Sequence, residues 1–235
     1  MTRHTIYGIS LGPGDADLIT IKAYKILKEV DIIYFPGSID KYGKEKSFSK
    51  KIIEELKIDK PVMKGIFIEM SMDRKETENL YSYTYTNILN DYNSGKKIAI
   101  VSEGDISFFS TFSYFINRFK ESEIDFSMIP GVPAFLLGSS KAKIPLTFQH
   151  DKLSIVAAPK KVNDVLDVLK YSDSVVVMKL TTLGKDLNEL LERVDGSFVY
   201  CEQLGTINEY ISTNREEIIN RKKTYFSLLI INRYI

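Results

Sequence analysis

Short apolar runs alternate along this chain with stretches in which apolar residues return every three or four positions. The runs have the length of buried strands, and the spaced stretches have the period of amphipathic helices. Residues 5–11 form the first run, ended by Gly12-Pro13-Gly14-Asp15. A helix is expected next, with Thr20 as N-cap and Ile21, Tyr24 and Leu27 in register. Residues 32–35 read as a second strand closed by Pro36-Gly37. The polar stretch 38–47 reads as a mobile loop. Ile52, Ile53 and Leu56 mark a helix, and residues 61–70 a third strand. Residues 80–92 form a further helix whose tyrosines (Tyr81, Tyr83, Tyr85 and Tyr92) are expected to pack half-buried.

The centre of the chain is 97–111. Its apolar, β-branched start predicts a buried parallel strand. Ser102-Glu103-Gly104-Asp105 breaks that strand, and Phe108, Phe109, Phe112, Phe115 and Phe119 then recur at helical spacing. A strand, a glycine and a helix start in succession make a ligand corner in open α/β sheets. The same residues also fit a plain turn with Asp105 as N-cap. A short strand at 126–130 follows, and the domain boundary is placed there. A short helix beginning near Phe135 opens the second half. Beyond Lys152 the alternation restarts: strands at 153–158, 174–178, 197–201 and 225–231, helices at 162–169, 183–194 and 214–221, and a further strand at 210–212. The pattern predicts two α/β domains, 1–130 with a mainly parallel sheet and 131–235 with a mixed sheet, and a cleft between them.

Composition narrows the partners. Lys plus Arg is 32 and Asp plus Glu is 31, so no global field draws the chain to nucleic acid or to an anionic membrane. No apolar run approaches the ~20 residues that span a bilayer. No signal-peptide pattern opens the chain, and the single Cys201 excludes an internal disulfide, which suits the cytoplasm. Two histidines, His4 and His150, are too few for most His-based metal sites, and no metal is expected. No Ser-His-Asp set, Cys-His pair or H-E-x-x-H is found, which leaves hydrolase chemistry with little support.

The turns at strand ends carry the remaining chemistry. Gly12-Pro13-Gly14-Asp15 is neither a dinucleotide fingerprint nor a P-loop, and Pro13 removes an amide that a pyrophosphate would want. Taken alone it is a tight turn. Taken in order with others it has an address. Gly8-Ile-Ser-Leu-Gly12-Pro13-Gly14-Asp15-x-x-Leu18-x-Thr20 resembles the opening motif of the tetrapyrrole methylases. Ser102-Glu103-Gly104-Asp105-x-Ser107-Phe108-x-Ser110-Thr111 resembles their cofactor motif, and Ile129-Pro130-Gly131-Val132 their third. Ile144-Pro145-Leu146-Thr147 and Tyr225-Phe226-Ser227-Leu228 resemble the branch that methylates C20 of precorrin-2 or cobalt-factor II in cobalamin synthesis.

That resemblance implies S-adenosyl-methionine as methyl donor, bound between the two domains of a homodimeric enzyme. By motif, Pro13, Glu103, Gly104, Asp105 and Phe108 should line the cofactor site, with Pro133, Ala134, Met178, Leu204 and Gly205 completing it. Gly12, Gly14 and Asp15 should face the tetrapyrrole. Lys41, Lys44, Lys46 and Lys143 are candidates by position for its carboxylates, or plain solvated lysines. Two departures matter: Ile106 stands where the family usually has proline, and Pro36 stands where the uroporphyrinogen branch has a proposed aspartate base. No general base can be named. A methylase acting on another ring position, or a non-catalytic nucleoside-binding regulator, are the competing readings.

Overall fold

The computed structural model describes residues 5–69, 73–194 and 197–232. Met70, at the end of the third expected strand, lies outside them. The chain divides into two compact units, Met1–Pro133 and Ala134–Ile235.

In the first unit the elements run β1 Ile6–Ser10, α1 Ile21–Glu29, β2 Ile32–Ile39, β3 Glu45–Lys46, α2 Phe48–Glu55, β4 Val62–Glu69, α3 Arg74–Asn93, β5 Ile98–Ser102, α4 Ser113–Glu121 and β6 Phe126–Ile129. The sheet order is β3-β2-β5-β1-β6, with β4 also paired to β2. Every pairing is parallel except that of β3 with β2. Both faces of this sheet are covered, which is why its strands are apolar without alternation. Ile6, Ile32, Tyr34, Ile98 and Ile100 pack with Tyr81 and Ile88 of α3 and Phe115 and Phe119 of α4. Ile9, Ile33, Phe35, Ala99 and Val101 pack with Ala23 and Leu27 of α1 and Ile52 and Ile53 of α2. Phe115 and Phe119 are fully buried, each worth roughly 1.5–3 kcal/mol of apolar burial. Of the α3 tyrosines Tyr81 is buried, Tyr85 and Tyr92 are partly buried, and Tyr83 stays exposed.

Three local expectations are corrected here. Pro36 and Gly37 do not close β2, which continues through Ile39. The last pair with β5 is Tyr34↔Ile100 and the first with β3 is Ser38↔Lys46, so at Pro36 a missing N–H breaks no ladder on that flank. The stretch 38–47 is a hairpin. The Asp40 carboxylate accepts from the Tyr42 and Lys44 N–H groups and pairs with Lys46 at 2.9 Å, and these contacts hold its carboxyl down at about 2. No helix starts at Asp105. Residues 103–112 form a turn-rich loop, and α4 begins only at Ser113.

The second unit contains α5 Ala134–Ala142, β7 Leu153–Ala157, α6 Asn163–Leu169, β8 Ser174–Met178, α7 Asp186–Arg193, β9 Ser197–Glu202, β10 Tyr210–Ser212, α8 Arg215–Asn220 and β11 Ser227–Asn232. Its sheet runs β10-β9-β11-β8-β7. Only β7 and β8 are parallel, so the sheet is mixed. Val175, Val177, Leu187, Leu190, Tyr200 and Leu229 share one core. The closing strand starts at Ser227, and Tyr225 and Phe226 before it stay exposed, the Phe226 carbonyl accepting the Gln203 N–H at 2.9 Å.

Candidate functional site

Sheet order decides where the motifs meet. β1 lies between β5 and β6, and all three run parallel. Their carboxyl ends therefore sit side by side, and each ends in one of the three motif turns. Gly12 and Gly104 exchange backbone hydrogen bonds at 3.1 and 2.7 Å in an isolated antiparallel bridge. Gly12 has φ +81° and Gly104 φ +66°, left-handed conformations that side chains resist. A Cβ added at Gly104 would meet no atom within 4 Å. That corner has room in front of it.

Asp105 holds the corner's shape. It is buried, 8% exposed. One carboxylate oxygen accepts from the Ser107 N–H at 2.9 Å and from the Ser107 hydroxyl, and the other from the Gly131 N–H at 2.7 Å. Burial pushes its carboxyl up, but the Ser107 and Gly131 donors outweigh this and hold it below the ordinary carboxylate range. The buried Ser10 hydroxyl donates to the Ile129 carbonyl at 2.7 Å and accepts the Ile106 N–H at 2.7 Å, tying all three turns together. Gly131 fits only as glycine: an added Cβ would lie 2.4 Å from Ser10 Cβ and 3.0 Å from the Gly104 carbonyl.

Glu103 looks the other way. Its Oε1 accepts the Ser49 N–H at 3.0 Å and the Ser49 hydroxyl at 2.8 Å, at the start of α2. A helix N-terminus favours that negative charge. Burial nevertheless raises its carboxyl above the usual range, and the Ser49 donors offset only part of that.

The structure thus brings together Gly12, Gly104, Asp105 and, through Asp105, Gly131. Pro13 and Gly14 are buried in the first turn, and Asp15 caps a 3-10 turn by accepting the Asp17 N–H at 3.0 Å. Phe108 is partly buried, its ring edge-on to Phe109 at 4.9 Å. Pro133 ends the first unit and Ala134 opens α5. In the second unit Met178 closes β8, partly exposed, and its carbonyl accepts the Ala158 N–H at 3.0 Å. Leu204 is buried, and Gly205, at φ +74°, donates to Glu209 at 2.8 Å. Lys41, Lys44 and Lys46 all stand exposed on the 38–47 hairpin, and Lys143 follows α5 with φ +59°. Ser10, Ser49 and Ser107 were not picked out from the sequence as fixing groups. A serine inside the apolar first strand was the available signal for Ser10. Among the described residues no cluster of three or more His, Cys, Asp or Glu could hold a metal, His4 lying outside them.

Comparison with known proteins bears on this corner. The chain is 27% identical over 231 residues to a probable cobalt-precorrin-2 C(20)-methyltransferase of Methanocaldococcus jannaschii, covering 97% of this chain and 96% of that one. It is 27% identical over 175 residues to the cobalt-precorrin-2 C(20)-methyltransferase of Salmonella typhimurium, covering 74% and 72%. Its fold is shared with uroporphyrin-III C-methyltransferase of Thermus thermophilus complexed with S-adenosyl homocysteine, at TM-score 0.65 and 16% identity over 97% of each chain. The family model of the tetrapyrrole (corrin/porphyrin) methylases matches residues 5–219, a span that takes in all three turns, and the chain belongs to that family.

Proposed function

We propose that this chain transfers a methyl group from S-adenosyl-methionine to C20 of precorrin-2 or cobalt-factor II in cobalamin synthesis. The observation that carries the reading is the Gly12–Gly104 bridge, with open space in front of Gly104. Two adjacent left-handed glycines let a bulky ligand approach the backbone, as a nucleoside with a charged tail requires. The names of relatives similar over nearly the full chain point to the same reaction.

S-adenosyl-methionine, when bound, supplies an electrophilic methyl on a positively charged sulfur. Pro13, Glu103, Gly104, Asp105 and Phe108 are its proposed partners in the first unit. Pro133, Ala134, Met178, Leu204 and Gly205 are the proposed remainder of the set. Phe108, Ala134 and Met178 carry no charge and would exclude water, which favours a step in which charge disperses. Asp105 keeps the backbone of the corner in place, and its carboxylate retains lone pairs for a ligand donor. Gly12, Gly14 and Asp15 would face the macrocycle. The hairpin lysines Lys41, Lys44 and Lys46, with Lys143, would meet its carboxylates. No side chain is assigned as base, and the proton lost from the methylated carbon passes to solvent.

A cytoplasmic homodimer completes the reading. Cys201 is a free, buried thiol, in keeping with a reducing compartment. Among the described residues no helix is long and apolar enough to cross a membrane.

Incubation with metal-free and cobalt-bearing substrate and methyl-labelled cofactor tests the proposal. Label at C20 is expected. Label at another ring carbon would move the chain to a different branch of the family, and cofactor binding without turnover would favour a regulator.

A further inference from the structure

Beside the corner, on the α4 face of the first unit, lies a pocket of about 520 Å³ that shares only Phe108 with the roles above. Ile106, Phe108, Phe109, Ile116 and Met128 give it apolar walls, and three serines make up the rest. The serine hydroxyls are already engaged. Ser107 donates to Asp105, Ser110 accepts the Phe112 N–H at 3.1 Å, and Ser113 donates to the Ser110 carbonyl at 2.9 Å. No lining residue is titratable, so an acid group entering here would find no counter-charge. The volume falls in the range of small-molecule sites.

The segment forming this wall is not settled as it stands. Phe109 holds φ +52°, a conformation costly for an aromatic residue, and its side chain is 53% exposed. Two residues on, the Thr111 hydroxyl is buried without a hydrogen-bond partner among the described residues. The strained, exposed Phe109 is the part of this wall that a ligand could order, while Thr111 lies outside the lining.

We infer that this pocket seats an uncharged pyrrole face of the tetrapyrrole, with Phe109 as its aromatic cover and the acid arms left outside. Aromatic and aliphatic walls suit a flat ring, and the absence of charge selects against its carboxylates. The inference rests on the methylase reading and adds the location of the macrocycle's apolar part.

Filling the pocket tests it. Ile116→Trp places a bulky ring inside, and Ser113→Phe intrudes from an exposed rim position that burdens folding less. For each folded variant, cofactor affinity is read by calorimetry and KM for the tetrapyrrole by label transfer. The expected result is a KM raised about tenfold or more with cofactor affinity unchanged. An unchanged KM in a folded variant overturns the inference, and so does a parallel loss of cofactor affinity, which would give the pocket to the cofactor. A wild-type chain that neither binds the cofactor nor transfers label would sink the methylase reading itself, a separate failure visible before any variant is made.

Discussion

Gly12 and Gly104 are ninety-two positions apart in the chain and are joined by a reciprocal pair of backbone hydrogen bonds, 3.1 and 2.7 Å long. Each sits at the carboxyl end of a parallel strand, and each has a positive φ. The bridge fastens the first two motif turns to each other, and Asp105 fastens the third to them through Gly131.

Gly104→Arg should abolish cofactor binding while the chain stays folded. A Cβ there meets nothing within 4 Å, so the cost to stability expected at the backbone is that of a left-handed residue, about 1–2 kcal/mol. A calorimetric titration alongside a thermal melt checks it. Wild-type cofactor affinity in a folded variant would remove Gly104 from the site.

Gly131→Ala should destabilise through overpacking, because its Cβ would stand 2.4 Å from that of Ser10. A loss of about 1–3 kcal/mol is expected by denaturant unfolding. An unchanged midpoint would mean that the third turn moves aside freely.

Asp105→Asn should cost about 1.5–3 kcal/mol near neutral pH, since it removes hydrogen bonds to a charged acceptor. The folded carboxyl titrates below its ordinary range. Its contribution is therefore present above the unfolded pKa and lost as pH falls through the folded one. Stability curves of wild type and variant should converge on the acid side, and a constant gap across pH would contradict the assignment.

Glu103→Gln should behave in the opposite sense. The folded carboxyl is raised by burial, so the folded state binds the extra proton and stability falls as pH rises from the unfolded to the folded pKa. Glutamine keeps an acceptor for the Ser49 N–H without a buried charge. The variant should match or exceed wild type at neutral pH and lack that slope, as unfolding followed from pH 4 to 8 will show.

Cys201 should resist alkylation in the native protein. It is fully buried, and burial pushes its thiol up to about 12, leaving almost no thiolate at pH 8. Rapid labelling by iodoacetamide without denaturant would contradict this.

Much of the fold was legible because strand runs and helical periods are local. β1, β5, β8 and β9 fall where short, mainly apolar runs stand, and α1 starts after the cap at Thr20. What failed locally had a tertiary cause. Pro36 is tolerated inside β2 because the pairing of β2 with β5 stops at Tyr34↔Ile100. The phenylalanines at 108 and 109 kept a helical period yet stay outside α4, since Asp105 binds Ser107 and Gly131 and holds a loop in place of the first turn. Asp40 likewise turns a polar stretch into a hairpin by accepting two backbone N–H groups.

The sequence by itself determined where the motif turns stand, since glycines, prolines and carboxylates at strand ends follow from chain-local demands, and their order matches one family. Only the tertiary structure decided that three of those turns share a corner, because strand order places β1 between β5 and β6. It also decided what the two acids do. Asp105 is held charged by donors from Ser107 and Gly131, whereas Glu103 is pulled toward neutrality beside α2. Two carboxylates a single glycine apart differ in this way because burial and donors, which no local pattern records, act on each separately.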